Sequence, residues 1–159
     1  QTVVDNATGT DDIDTILEIE NIVGSTKDDI FIGSTGVNTI YAGTGNDTFV
    51  IGTASLNSSS YATITDFTAG DSIKFSGADS FNTNVITLAN TAVFQDYVNE
   101  AAKGNGADKA SYFVWAGNTY LVQDNDGAAT FTNNVDSIVK IAGVVDFTFN
   151  STTNVLEIA

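Results

Sequence analysis

Three side chains able to hold a cation recur at a fixed interval. Asp29, Asn38 and Asp47 stand nine residues apart, each in sixth place of a nine-residue block. The blocks GSTKDDIFI, GSTGVNTIY and AGTGNDTFV run without a gap from Gly24 to Val50. Eighth place is apolar throughout, held by Phe31, Ile40 and Phe49, and the leading places carry Gly24, Gly33 and Gly43. Glycine there allows positive φ and close approach of neighbouring backbones. Carboxylates beside crowded turn carbonyls offer hard oxygen ligands, and a shell of about six to eight of these is what Ca²⁺ prefers. Histidine and cysteine are both absent, which excludes Ser-His, Cys-His and zinc chemistry together. Paired carboxylates can cleave a glycosidic bond, but here the nine-residue phase already accounts for their positions. No P-loop or dinucleotide fingerprint occurs, since GTGND lacks the following Lys-Ser/Thr. The chain is therefore expected not to be an enzyme.

Each block reads as a six-residue turn followed by a three-residue strand, so two blocks make one coil of a parallel roll. Turns on one edge then lie eighteen residues apart and bring Asp29 opposite Asp47, while the middle strand residue points inward. This form, G-G-x-G-x-D-x-U-x, resembles the nonapeptide repeat of RTX proteins, which binds Ca²⁺. The resemblance implies that the earlier turn offers the carbonyls of its second and fourth places and the later turn those of its first and third. A cation is thereby placed among Ser25, Lys27, Asp29, Ala42, Thr44 and Asp47, with Gly24, Thr26, Gly43 and Gly45 completing the same turns.

Carried backwards, the phase gives TILEIENIV (15–23) and NATGTDDID (6–14). Asp11 then joins Asp29 and Asp47 on one edge, where a second cation is expected between Asp11 and Asp29. Glu20 and Asn38 fall on the other edge, which carries less charge. The string IENIVGS is similar to the entry into RTX arrays of bacterial surface-layer proteins. Beyond Val50 the phase breaks into a polar loop (52–60), and YATITDFTAGDSIKFSG then alternates as strand, turn and strand. Ile64, Phe67, Ile73 and Phe75 are expected to face the core. The pattern resembles the segment that closes the roll in serralysin-like exoproteins, which makes Asp66 and Asp71 candidates for a last ion site. Ordinary turn aspartates capping a hairpin are the alternative.

Residues 90–103 form one predicted helix, with Val93, Phe94, Tyr97, Val98, Ala101 and Ala102 on a single apolar face. Asn90 or Thr91 can cap its start, and Gly104 stands at the C′ position. SYFVW and TYLVQ flank an AGN turn as a hairpin, and 136–142, 144–149 and the terminal STTNVLEIA read as further strands. Asp124-Asn125-Asp126-Gly127 invites comparison with an EF-hand loop. The register rejects it, because Val122 would take the first ligand position and Asn133 the twelfth; the segment reads as a turn. The expected fold is all-β: a short Ca²⁺-binding parallel roll over 1–59, then a sandwich-like, largely antiparallel region with one helix over 60–159.

The 159 residues carry 20 acidic side chains against five lysines and no arginine, a formal charge of −15. Nucleic acid is a poor partner for such a surface because phosphate needs Lys or Arg, an anionic membrane surface is equally disfavoured, and no transmembrane run exists, so membrane insertion is not expected. Self-repulsion of this size opposes compaction until cations bind. Without cysteine no disulfide staples the chain, and metal can take that place. The chain opens in mid-pattern without a recognisable signal peptide, and is expected to be a piece of something longer. Its last third, FVWAGNTYLVQDND and DSIVKIAGVVDF, is similar to the ends of RTX surface-layer proteins, where the resemblance implies an uncleaved signal read by a type I (ABC) exporter. The expected function is a calcium-binding C-terminal module of a secreted surface-layer-type protein of a Gram-negative bacterium, folding with Ca²⁺ and self-associating in a surface lattice. The alternatives are the targeting module of a secreted hydrolase and an adhesin or ice-binding segment, the last disfavoured because Thr26, Thr35 and Thr44 sit in turns.

Overall fold

The computed structural model describes residues 2–4, 21–32, 37–52, 55–78, 80–103 and 109–159, the first three by backbone alone. The nine-residue phase becomes strands that alternate between two sheets. Strands β1 (Thr2–Val4), β2 (Asn21–Val23), β4 (Thr39–Tyr41) and β6 (Ala62–Ile64) lie side by side in one sheet, and β3 (Ile30–Ile32), β5 (Thr48–Ile51) and β7 (Ser72–Phe75) in the other. All these neighbours pair in parallel. Ile22 faces Ile40 and Phe31 faces Phe49, the expected step of eighteen. Three-residue strands suffice because only the middle side chain enters the core. Phe31 is half-buried and Phe49 fully buried, while Ile30 and Ile32 on either side of Phe31 are exposed.

The next coil is longer. Ile40 faces Ile64 and Phe49 faces Ile73, a step of 24, and the extra residues lie in the polar stretch between β5 and β6. Residues 61–77 are therefore not a hairpin: β6 and β7 belong to different sheets and form a third coil of the roll. A hairpin would have left one face of each strand without a partner sheet, whereas the coil buries Ile64, Phe67, Ile73 and Phe75 as expected.

Both sheets continue past the roll. β11 (Ser137–Ile141) runs parallel to β6 and carries the hairpin partners β10 (Asn118–Asp124) and β9 (Lys109–Trp115), with β8 (Ser80–Phe81) outermost. β13 (Val155–Ile158) pairs antiparallel with β7 and with β12 (Phe147–Asn150). The β9–β10 hairpin turns on Ala116 and Gly117 alone, both at positive φ, so Asn118 is already strand. One apolar core passes from the roll into this region. Phe31 stacks on Phe49 (5.2 Å between ring centroids), and Phe49, Phe67 and Phe147 follow at 5.9 and 6.0 Å.

Helix α1 (Phe94–Ala102) covers β9 and β10. Val98, Ala101 and Ala102 are buried against Phe113, Tyr120 and Val122, while Val93 stays exposed. Neither Asn90 nor Thr91 caps the helix. It starts later, at Val93, whose N–H donates to the Asp96 carboxylate (2.9 Å), so an acid reaching back from the first turn does the work of a cap. Gly104 lies outside the described residues.

Candidate metal centre

Three turns stack on the edge where the chain passes from the first sheet to the second: 24–29, 42–47 and 66–71. Peptide hydrogen bonds fix their spacing. Thr48 N–H donates to the Asp29 carbonyl and Ser72 N–H to the Asp47 carbonyl, both at 2.8 Å. The sixth-place carboxylates link the turns a second time. Asp29 N–H donates to Asp47 Oδ1 (2.9 Å), and Asp47 N–H donates to Asp71 Oδ1 (3.0 Å). Asp66 opens the third turn and accepts from the Ala42 and Gly43 amides, one per carboxylate oxygen, at 2.8 Å. Within the first turn Asp29 accepts from Ser25 N–H (2.7 Å).

The turns approach too closely for side chains at their glycines. Gly43 has φ +102°, and a Cβ there would run into the Ser25 carbonyl. At Gly45 a Cβ would come within 2.6 Å of the Lys27 carbonyl, and at Gly24 it would meet the Ala42 carbonyl and lie 2.9 Å from Asp29 Oδ2. These are the spots where a Cβ is excluded and oxygen is concentrated. Ser25, Lys27 and Ala42 thus turn backbone carbonyls toward the glycines of the facing turns, the Ala42 carbonyl in the same gap as the Asp29 carboxylate. Thr26 and Thr44 are exposed on the outer rim, with the Thr44 amide donating to Ser25 O (3.2 Å).

Like charges gather on this edge. Asp47 is 1% exposed. Burial pushes its carboxyl above the usual range, with the charges of Asp71, Asp29 and Asp66 adding to the rise and the Asp29 amide opposing it. Among the described residues no lysine pairs with any of these four carboxylates, and Lys27 is exposed. Buried charge of one sign, oxygen-only donors and a glycine-lined gap fit a Ca²⁺ ion. The residues that would hold it are Asp29, Asp47, Asp66 and Asp71 with the carbonyls named above.

Asp29 and Asp47, and the candidates Asp66 and Asp71, all meet on this edge. Asn38 is buried on the opposite edge, at the turn entering β4, where its carbonyl accepts from Thr63 N–H (2.7 Å). Asp11 and Glu20 lie outside the described residues, and so does any site they form. One participant was missed. Asp28 Oδ1 accepts from Asn46 N–H (2.8 Å), a second lateral tie between the first two turns. The adjacent acids Asp28-Asp29 were its signal.

A carboxyl whose folded value lies above its ordinary 3.8 stabilises the Ca²⁺-free fold below that value and loses the contribution as pH rises through the raised one. Asp47→Asn should therefore stabilise the Ca²⁺-free chain at neutral pH and flatten the fall of its stability as pH rises above 3.8, while weakening Ca²⁺ binding. Thermal melts across pH with and without EDTA check the opposite signs; a substitution that destabilises both forms equally contradicts this account.

No curated protein matches the chain. Residues 19–50 match the family of the RTX calcium-binding nonapeptide repeat (4 copies). The match starts within the irregular block ahead of Gly24 and ends with the last regular one. Among the described residues, no helix is long and apolar enough to cross a membrane. Residues 19–50 are thus an array of RTX-type, calcium-binding repeats, and Ca²⁺ is the cofactor they carry.

Proposed function

We propose that the chain is a calcium-triggered folding and export module at the C-terminal end of a surface-layer-type protein of a Gram-negative bacterium, with no catalytic activity of its own. The observation that carries this reading is the Asp29–Asp47–Asp71 ladder with Asp66, four carboxylates on one edge that pair with no lysine among the described residues. Extracellular calcium modules bind with Kd of about 10⁻⁴–10⁻³ M, far weaker than cytosolic Ca²⁺ levels can saturate. Inside the cell the −15 charge keeps the chain open for threading through a type I (ABC) exporter; outside, Ca²⁺ closes the roll. Residues 136–159 act as the exporter signal in the open chain. After folding they supply β11, β12 and β13, and Leu156 is buried. Assembly into a surface lattice follows from the same module once folded.

The test is a passenger protein fused ahead of this chain in a host with a matching exporter, with and without residues 136–159. Export should depend on those residues. A passenger exported equally well by the truncated fusion refutes the signal assignment and leaves a calcium-dependent module alone.

A further inference from the structure

A second group of carboxylates lies far from the repeats. Asp124 ends β10, Asp136 immediately precedes β11, and Asp126 sits in the loop between them. One oxygen from each lies within 4.8 Å of the others. The expectation of a plain turn holds for 124–127: Asp124 Oδ1 accepts from the Asp126 (3.1 Å) and Gly127 (2.6 Å) amides. What a four-residue reading misses is Asp136, returned to the same place by the loop's far end. Its oxygens accept from Asn125 N–H (2.8 Å) and Thr132 N–H (2.7 Å), so both ends of the loop close on it.

The second observation concerns a single atom. Asp124 is 2% exposed, and its Oδ2 is buried without a hydrogen-bond partner among the described residues. Lys109, its cross-strand neighbour, forms no ion pair with it. A buried carboxylate oxygen left without a donor is costly, and beside two further carboxylates a proton donor is lacking where a cation would satisfy all three. Burial also pushes the Asp136 carboxyl above the usual range, the Asp126 and Asp124 charges adding to it.

We propose that Asp124, Asp126 and Asp136 hold a Ca²⁺ ion outside the repeat array. Three carboxylates supply about half of the six-oxygen minimum, and exposed Asp126 leaves a side open for water. Asp136 also ties this loop to the roll. Its carbonyl accepts from Ser55 N–H, Asn134 N–H donates to Ser55 O (both 2.9 Å), and Ile138 N–H donates to Ser55 Oγ (3.1 Å). Ser55 belongs to the long coil between β5 and β6, so the ion staples the C-terminal sheet to the last coil of the roll.

The experiment counts Ca²⁺ bound by the full chain in equilibrium dialysis over graded free Ca²⁺, with amide exchange read in the same samples. Asp126→Asn, at an exposed position, and Asp136→Asn are compared with Asp47→Asn, which reports on the repeats. Loss of an outer partner of a metal ligand already costs about 10–100-fold in affinity, so either loop substitution should weaken one ion by at least about tenfold. Exchange at 125–132 should rise while the amides of 42–47 keep their protection. Unchanged ion count, affinity and loop protection in Asp126→Asn would overturn the site, even where Asp136→Asn fails to fold. Ca²⁺ binding lost only in Asp47→Asn would leave the repeat reading intact and this one refuted, and a chain that binds none refutes both.

Discussion

Removing Ca²⁺ is expected to lower the melting temperature by roughly 10–20 °C and, in dilute buffer, to abolish cooperative folding. Each ion held between stacked turns contributes about 2.7 kcal/mol at a hundred times its Kd. The turns at 24–29, 42–47 and 66–71 enclose two such spaces, hence about 5 kcal/mol, as much as the whole stability of many domains. For a domain of this size each kcal/mol shifts the midpoint by about 2–4 °C. Among the described residues only backbone amides oppose the repulsion, and Asp47 is buried beside Asp29, Asp66 and Asp71. Circular dichroism melts in EDTA and in millimolar Ca²⁺ decide the matter. Superimposable curves would show that backbone hydrogen bonds alone hold the roll.

Gly43→Ala is expected to cost about 3–5 kcal/mol in Ca²⁺ and to remove the Ca²⁺ response. A φ of +102° strains any L side chain by about 1–3 kcal/mol, and the new Cβ would push the Ser25 carbonyl away from the turn it faces and break its hydrogen bond from Thr44 N–H. Two other glycines separate these causes. Gly117 has φ +76° but open space around it, so Gly117→Ala carries strain alone, about 1 kcal/mol. At Gly52 a Cβ would make only an ordinary 3.5 Å contact with Ser76 Cβ, and Gly52→Ala should be near neutral. Denaturant midpoints in saturating Ca²⁺ rank the three. Gly43→Ala matching Gly117→Ala would mean that the turns have room to spread and that the carbonyl gap is not a rigid site.

The roll was legible because its period is encoded twice, in the sixth-place acids and in the eighth-place apolar residues. A period seen twice survives local exceptions such as Lys27, whose side chain is exposed, and Asn38, which lies on the other edge. Asp66 and Asp71 stood out as candidates, but their turn looked like a hairpin. Six inserted residues had moved it out of phase, and an alternating pattern does not say whether successive strands share a sheet. Helix α1 was visible from its stripe and mislocated at its start, because Asp96 caps from inside the helix. The Asp124–Asp136 cluster showed only its turn at 124–127, and Asp136 was missed for a different reason. Asp124 and Asp136 stand twelve residues apart and meet through the register of β10 and β11, which pairs Gln123 with Ser137.

The alternation of sheets also sets a rule for how such a chain can lengthen. An insertion of eighteen residues adds one strand to each sheet and extends the roll by one strand spacing, about 4.8 Å, leaving every later side chain on its original face. An insertion of nine does something else: each later strand changes sheet, and acidic turns change places with the Asn38 edge. The 24-residue coil obeys the rule, because its surplus of six is looped out on the far edge and both sheets resume in register. Duplications within this chain are thus accommodated in even counts of blocks, and an odd count scrambles the aspartate column while preserving every residue in it.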